Sequence, residues 1–376
     1  MISFEVVDRC PSSRARSGVL RTPHGEVETP LFMPVGTKGT VRGVLPTDLR
    51  AVGSRMLLAN TFHLSLRPGE DVVRALGGLH GLMGWDGPIL TDSGGYQVFS
   101  LGARTKVDED GATLRSTVDG APVRLTPERV MEIQHRLGAD VAMAFDHCPA
   151  NPLARDEVGR ATERTHRWLA RCVTAWREGG AKDGQSLFGI VQGGAFEDLR
   201  RESAETVTSH DLPGYAIGGV SVGEDREAML LAVNTAAPLL PDAKPRYLMG
   251  VGTPLDFLDA VERGIDLFDC VTPTRHGRTH QAFTSEGRLN LRNRGWERDT
   301  DPLDATCDCP ACERFTRGTL RYLCQSGEML GGILITLHNL RFFHRLLEEI
   351  RAAIGAGTLA SLRPRFERAQ RRVGAS

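Results

Sequence analysis

Short apolar runs that stop abruptly at a polar or glycine-rich turn recur along this sequence and constrain its fold more than any other feature. Seven such runs occupy residues 56–59, 89–91, 141–145, 187–191, 215–217, 247–249 and 267–268. Their apolar residues are continuous rather than alternating, which is typical of strands buried on both faces of a parallel sheet. Helix-like segments lie between the runs, and Thr126-Pro127-Glu128 opens one with an N-cap, a proline and an acidic first turn.

Interleaved strands and helices favour an α/β fold of the (β/α)8 TIM-barrel type over an open sheet. The chain has 376 residues, 40% of them hydrophobic, which is enough for one large barrel with an appendage. A doubly wound sheet is the alternative fold, and the lack of a phosphate-binding glycine motif after the runs weakens it. We therefore expect residues 1–376 to form a single barrel domain.

The charge balance limits the partners of the protein. There are 46 basic and 47 acidic residues, for a formal net charge of −1, which excludes a polycationic coat for nucleic acid but not a local basic patch. One candidate patch is the stretch 275–298, which has six arginines and two acidic residues. Both a solvated basic surface and a face that contacts phosphates remain open for it.

Features of membrane or secreted proteins are missing from the sequence. No apolar run approaches the ~20 residues that span a bilayer. The first ten residues, MISFEVVDRC, lack the charged and then apolar layout of a signal peptide. We expect a cytoplasmic protein that does not bind membranes.

Three of the eight cysteines form a compact cluster, Cys307, Cys309 and Cys312. Thiolates at this spacing converge from one loop, as they do in zinc sites, and a tetrahedral site needs a fourth ligand. The spacing leaves three candidates open for that ligand, namely Cys324, His338 and His344. A closed site of this kind is structural, and it predicts a zinc-binding subdomain at about 300–345.

Polar residues follow most of the apolar runs. The C-terminal strand ends of a barrel face the active site, and the residues there are Asn60, Asp92, Asp146, Gln192, Gly219, Gly250 and Asp269. Each aspartate alone could be a helix cap, but three together favour a site. Metal-assisted hydrolysis would need barrel histidines in metal-binding spacing, which are missing. Substitution at the anomeric carbon of a sugar needs one carboxylate to attack and a second to move a proton.

Two further features suit a flat ligand. A third carboxylate can read the edge of a nucleobase by accepting its N–H donors. Tyr96, four residues after Asp92, is either a stacking face for such a base or an ordinary core aromatic.

The motifs together resemble those of the tRNA-guanine transglycosylases over almost the whole chain. The resemblance is carried by Asn60-Thr61-Phe62-His63-Leu64, Asp92-Ser93-Gly94-Gly95-Tyr96, Met143-Ala144-Phe145-Asp146, Gly189-Ile190-Val191-Gln192-Gly193-Gly194, Gly218-Gly219-Val220-Ser221-Val222-Gly223-Glu224, Tyr247-Leu248-Met249-Gly250, Phe268-Asp269-Cys270 and the cysteine cluster. It implies a zinc-bearing barrel that exchanges guanine for a 7-deazaguanine at the anticodon wobble position of tRNA, a pentosyl transfer in queuosine biosynthesis.

The resemblance also implies a role for individual residues. Asp269 is then the nucleophile that forms a covalent intermediate with RNA, and Asp92 is the general base. Base binding falls on Ser93, Tyr96, Asp146, Gln192, Gly219, Val220, Met249 and Gly250. Binding of the tRNA anticodon loop falls on Arg275, His276, Arg278 and Arg288. One structural Zn²⁺ per subunit is held by Cys307, Cys309, Cys312 and His338.

Finer details point to the bacterial branch of this family. Cys148 and Val222 match the pattern linked with the substrate preQ1 (7-aminomethyl-7-deazaguanine), and we expect none of the extra RNA-binding domains of archaeal members after Ser376. Val220 departs from the leucine of many bacterial members, which predicts a slightly roomier pocket wall. Catalytic members act as homodimers, so we expect a homodimer here.

Two other classes of protein compete with this interpretation. A non-catalytic tRNA-binding subunit would keep the barrel and the zinc but lose a carboxylate, whereas this chain retains both Asp92 and Asp269. A barrel glycosidase or metal hydrolase for small molecules would need no basic face.

Overall fold

Eight parallel strands close into a barrel. The computed structural model describes residues 1–102, 105–149, 153–220, 223 and 225–371. In pairing order the barrel strands are β4 (Leu31–Gly36), β5 (Leu57–Ala59), β6 (Ile89–Thr91), β10 (Val141–Met143), β11 (Ser186–Val191), β12 (Gly214–Ile217), β13 (Arg246–Leu248) and β14 (Leu267–Cys270), which pairs with β4. The predicted (β/α)8 fold is confirmed, and each of the seven apolar runs contributes a strand. The pattern did not predict β4, which contains Pro34, a residue that argues against a central strand because it lacks an N–H.

Helices follow the strands and surround the barrel. They are α1 (Pro46–Ala51), α2 (Thr61–Leu66), α3 (Glu70–Ala75), α4 (Gly78–Met83), α5 (Gly95–Ser100), α6 (Pro127–Leu137), α7 (Arg155–Glu178), α8 (Glu197–Thr208), α9 (Arg226–Ala236), α10 (Pro254–Val261), α11 (Thr272–Arg278), α12 (Pro310–Arg314), α13 (Arg317–Gln325), α14 (Met329–Gly355) and α15 (Arg363–Gln370). As expected, Thr126 caps α6, and its side chain accepts a hydrogen bond from the N–H of Arg129. The helix α9 ends at Ala236 and continues as a 3-10 turn that contains Pro238.

An antiparallel sheet closes one end of the barrel. It consists of β1 (Ser3–Arg9), β2 (Arg16–Thr22) and β3 (Gly25–Thr29). Leu20 and Val27 of this sheet belong to the same buried cluster as the inward side chains of the barrel strands. The N–H of Ile2 donates to Ser186 Oγ, at the first residue of β11, over 2.9 Å. The sheet therefore covers the N-terminal ends of the strands, opposite the expected active site.

Two further sheets lie outside the barrel. The strands β7 (Lys106–Val107), β8 (Ala112–Arg115) and β9 (Pro122–Leu125) form an insertion between α5 and α6. The hairpin of β15 (Gln281–Thr284) and β16 (Gly287–Asn290) precedes the cysteine cluster. A separate hydrophobic cluster, which includes Leu289, Leu303, Leu320 and Ile335, forms a small second core around those cysteines. Within the described ranges, no helix is both long and apolar enough to cross a membrane.

Candidate active site

The carboxylate of Asp269 is held by two donors from the neighbouring strand. Tyr247 Oη on β13 donates to Asp269 Oδ1 over 2.5 Å, and the N–H of Gly250 donates to the same oxygen over 2.7 Å. Among the described residues, nothing donates to the second oxygen, Oδ2. Burial raises the pKa of Asp269, and the two hydrogen bonds oppose that rise. Oδ1 is thus anchored, whereas no described residue donates to Oδ2.

Asp92 lies directly after β6 and faces the same mouth. Its Oδ1 accepts from the N–H groups of Thr61 (3.0 Å) and Gly94 (3.2 Å), and Asn60 Nδ2 donates to its Oδ2. The pKa of Asp92 is raised to about 7, because burial and the negative charge of Asp269 raise it more than the three donors lower it. Asp92 is therefore present in both protonation states near neutral pH, as an acid–base catalyst requires.

A third buried carboxylate, that of Asp146, lies beside this pair. Asp146 accepts from Ser93 Oγ (3.1 Å) and from Gln192 Nε2 (2.7 Å), and burial raises its pKa to about 6 against both hydrogen bonds. Gln192 Oε1 is buried and has no hydrogen-bond partner among the described residues. Gly219 lies against it with φ +64°, and a Cβ there would be 2.3 Å from Gln192 Oε1, so only glycine fits.

Three more of the predicted base-binding residues lie in the segments that follow barrel strands. Tyr96 on α5 is 53% exposed and touches the edge of Phe99, so it is not a core aromatic. Met249 follows β13 and packs against the barrel interior, whereas Val220 is buried. Cys148 is buried too. Val222, the other residue of the preQ1 pattern, lies outside the described residues.

The predicted metal ligands come together in the second core. The ligand atoms of Cys307, Cys309, Cys312 and His338 all lie within 4.8 Å of one another. His338 Nδ1 on α14 is 3.2 Å from the Sγ of Cys312 and 3.5 Å from that of Cys309, while its Nε2 donates to the carbonyl oxygen of Phe283 over 2.7 Å. That hydrogen bond leaves the lone pair of Nδ1 facing the thiols, which is the arrangement of a metal-binding histidine.

The other two candidates for the fourth ligand point elsewhere. His344 Nε2 pairs with Ser54 Oγ over 2.9 Å, beside the barrel. Cys324 is buried, and burial raises the pKa of its thiol to about 11, so it remains protonated. Neither residue belongs to the cluster.

Three of the four predicted RNA-binding residues lie on α11, directly after the strand that carries Asp269. Arg275 is exposed, and Arg278 is half-buried with a pKa that desolvation and the charges of Arg42 and Arg275 lower. The His276 ring pairs with the carbonyl oxygen of Thr272 (Nδ1 to O, 2.9 Å). Arg288 lies on β16 instead, with its guanidinium 6.0 Å from the centre of the Phe283 ring.

Tyr247 and Asn60 are the site residues whose contacts the sequence patterns missed. Tyr247 lies inside a barrel strand and reads as a core residue. The available signal was its hydroxyl, because a buried tyrosine usually has a hydrogen-bond partner. Asn60 was recognised as a strand end, and its side chain both bonds Asp92 and caps α2 by accepting from the N–H of His63 over 2.9 Å.

Two buried carboxylates at one barrel mouth, one anchored by two hydrogen bonds and the other with a pKa raised to about 7, are typical of the active site of a barrel enzyme. A family model described as queuine tRNA-ribosyltransferase matches residues 10–372. A queuine tRNA-ribosyltransferase of Pelotomaculum thermopropionicum is 52% identical over 367 residues, 98% of each chain. One from Thermus thermophilus is 54% identical over 371 residues, 99% of this chain and 94% of the relative.

The protein belongs to the queuine tRNA-ribosyltransferase family. This result confirms the family resemblance seen in the motifs and makes the protein a glycosyltransferase of the pentosyl class. A non-catalytic subunit and a small-molecule hydrolase are thereby set aside.

Proposed function

We propose that this protein is a tRNA-guanine transglycosylase that replaces guanine by preQ1 at the wobble position of GUN-anticodon tRNAs. The observation that supports it best is the arrangement of two carboxylates at one mouth. No described residue donates to Asp269 Oδ2, and the pKa of Asp92 is about 7. Double displacement at an anomeric carbon needs these two functions, a nucleophile and a group that both gives and takes a proton.

In the first step, Asp269 Oδ2 attacks the anomeric carbon of the wobble nucleotide. The bond from that carbon to N9 of guanine breaks, and its electron pair goes to N9. Protonated Asp92 supplies a proton to N9, so guanine leaves as a neutral base and an ester joins Asp269 to the RNA. Tyr247 and Gly250 hold Oδ1, which directs Oδ2 at the sugar.

In the second step, preQ1 enters the pocket that guanine has left. Asp92, now ionised, takes the proton from N9 of preQ1, and N9 attacks the anomeric carbon. The ester bond breaks and returns its electron pair to Asp269. Two inversions give net retention, and Asp92 ends protonated, ready for the next cycle. No nucleotide or redox cofactor enters the balance.

Base and RNA recognition are assigned to the surrounding residues. Asp146 accepts the N–H donors of the guanine-like edge. Ser93 and Gln192 orient Asp146, and Gly219, Val220, Met249 and Gly250 complete the pocket with Tyr96 as a stacking face. The anticodon loop lies along α11, where Arg275 and Arg278 contact phosphates, with His276 and Arg288 at its edge.

The chemistry of the cysteine cluster fits Zn²⁺. Three thiolates and one imidazole nitrogen are the donor set of a closed tetrahedral zinc site. Cys309 and Cys312 are contributed by the start of α12, whereas His338 belongs to α14. The ion would tie this loop to the long helix, and it takes no part in the base exchange.

Assembly and location complete the proposal. We infer a cytoplasmic homodimer in which the basic surface of one subunit helps to hold the tRNA bound to the other. Sedimentation equilibrium at working concentration tests the dimer, and a monomer there would overturn this part.

The experiment that tests the function measures incorporation of labelled guanine into unmodified GUN-anticodon tRNA. Wild type is expected to exchange and to form an adduct with RNA that survives denaturing electrophoresis. Asp269→Asn, which preserves size, should do neither. Asp156→Asn is the control, because that side chain lies exposed in the first turn of α7. Exchange by Asp269→Asn would show that another group is the nucleophile, and tRNA binding without exchange by wild type would refute the function.

Competition with labelled guanine then identifies the incoming base. Unlabelled preQ1 should compete with labelled guanine more strongly than its nitrile precursor preQ0 does. Equal competition by the two bases would overturn the assignment of preQ1 while leaving the transglycosylase function intact.

A further inference from the structure

Arg200 is a fully buried arginine that binds the ends of two adjacent barrel strands. It lies on α8 with 0% exposure. Its Nε donates to the carbonyl oxygen of Gly194 (2.9 Å), its Nη1 to those of Val191 (3.0 Å) and Gly218 (2.7 Å), and its Nη2 to that of Gly219 (3.3 Å). Val191 ends β11, and the two glycines follow β12. The guanidinium thus fixes the two loops that carry Gln192 and Gly219.

These contacts set the direction of two peptide groups. In a trans peptide the C=O and the following N–H point in opposite directions. With the carbonyls of Gly218 and Gly219 turned toward Arg200, the N–H groups of Gly219 and Val220 point away from it. Neither N–H donates to another described residue. The described part of the chain therefore leaves these two amide donors for a ligand at the barrel mouth.

A second contact from the same helix supports this function of α8. Ser203, three residues after Arg200 and hence on the same helix face, accepts from the backbone N–H of Gln192 over 3.0 Å. The ring of His166 is 3.0 Å from the same hydroxyl oxygen. The helix consequently holds the backbone of Gln192 through Ser203 and the backbone of Gly218 and Gly219 through Arg200.

We propose that Arg200 is a positioning residue that fixes the amides of Gly219 and Val220 as donors to the carbonyl oxygen of the base. This inference rests on the proposed function and adds a determinant of base specificity to it. Two fixed N–H donors accept a 6-oxo purine and reject a 6-amino purine, whose exocyclic group is itself a donor. Arginine is needed because its planar fork offers several donors in fixed directions, whereas lysine is a point charge.

The test compares base binding by wild type and Arg200→Lys. The ratio of the dissociation constant of 2,6-diaminopurine to that of guanine, measured by calorimetry, should be large for wild type and fall about tenfold or more in Arg200→Lys. The KM for guanine should rise by a similar factor while the KM for tRNA stays within about twofold. A purely structural role would lower Tm without changing the ratio.

Arg246→Lys is the matched control. Arg246 is another buried arginine that donates to backbone carbonyls, those of Leu240 and Gly264, but at the closed end of the barrel. Its variant should lose stability and keep the base ratio. If Arg200→Lys does not fold, Arg200→Gln supplies the same measurement.

An unchanged ratio in a folded Arg200 variant would overturn the inference. Wild type that binds guanine selectively but does not exchange it would instead refute the proposed function, and the binding ratio would still test Arg200.

Discussion

Removal of the Asn60 amide should shift the pH dependence of base incorporation to higher pH. Asn60 Nδ2 donates to the carboxylate of Asp92 and so favours its ionised form. Asn60→Ser deletes this donor, yet a serine hydroxyl still caps α2. The pKa of Asp92 should therefore rise, and a smaller fraction of this proposed general base should be ionised at neutral pH.

The size of the pKa shift follows from the loss of one of the three hydrogen bonds that Asp92 accepts. A hydrogen bond to a charged group contributes about 1.5–3 kcal/mol, and one pKa unit corresponds to about 1.4 kcal/mol. Water at the open mouth replaces part of the lost bond, so we expect a shift of about one unit from the wild-type pKa of about 7. At pH 7 the ionised fraction then falls from about one half to about one tenth, a roughly fivefold slower reaction.

The assay follows the discharge of the covalent RNA adduct by preQ1 in a single turnover between pH 5.5 and 9.5. Wild type should rise to a plateau with an apparent pKa near 7, and Asn60→Ser should reach nearly the same plateau about one unit higher. Thr316→Ala, which removes the cap of α13 in the second core, is the control and should keep the wild-type profile. A uniform loss of rate at all pH values would contradict the assignment of Asp92 as general base.

Three further predictions follow from the site. Asp92→Asn should raise Tm at pH 8 and change it little at pH 4. Folding raises the pKa of this carboxyl, so its ionisation destabilises the folded state as the pH rises from the pKa of the unfolded chain toward about 7. An equal Tm change at both pH values would contradict the raised pKa. His338→Ala should lose bound zinc and have a lower Tm, whereas Cys324→Ser should keep one zinc per chain by elemental analysis. Full zinc content in His338→Ala would exclude His338 from the ligand set. Gly219→Ala should weaken guanine binding by tenfold or more in calorimetry, because its Cβ would collide with Gln192 Oε1, and unchanged affinity would place the base elsewhere.

The barrel was predictable because its strands are buried on both faces. That environment demands continuous apolar residues, and the turn that follows each run carries the polar side chains of the mouth. The strand Leu31–Gly36 was missed because Pro34 interrupts the signal of a paired strand. The short inserted strands Lys106–Val107 and Ala112–Arg115 are only partly buried and leave no comparable apolar run.

The candidate site was predictable only where chemistry restricts residue type. The aspartates and the cysteines stand out in the sequence because few structural positions require them. His338 could not be chosen over His344 by spacing, since both lie on α14, and only the fold shows which ring meets the thiols. The role of Arg200 could not be predicted from the sequence, because its partners are backbone carbonyls and their positions depend on the fold.

Among the described residues, the N-terminal sheet closes one end of the barrel and leaves the mouth at the other end. Leu20 and Val27 fill the closed end, so in the proposed exchange the outgoing and incoming bases both pass through the mouth. In the proposed exchange, the outgoing guanine must clear the pocket before its successor can enter. The shared opening then sets the order of release and binding without a moving gate. The covalent ester holds the RNA in place while the pocket is empty.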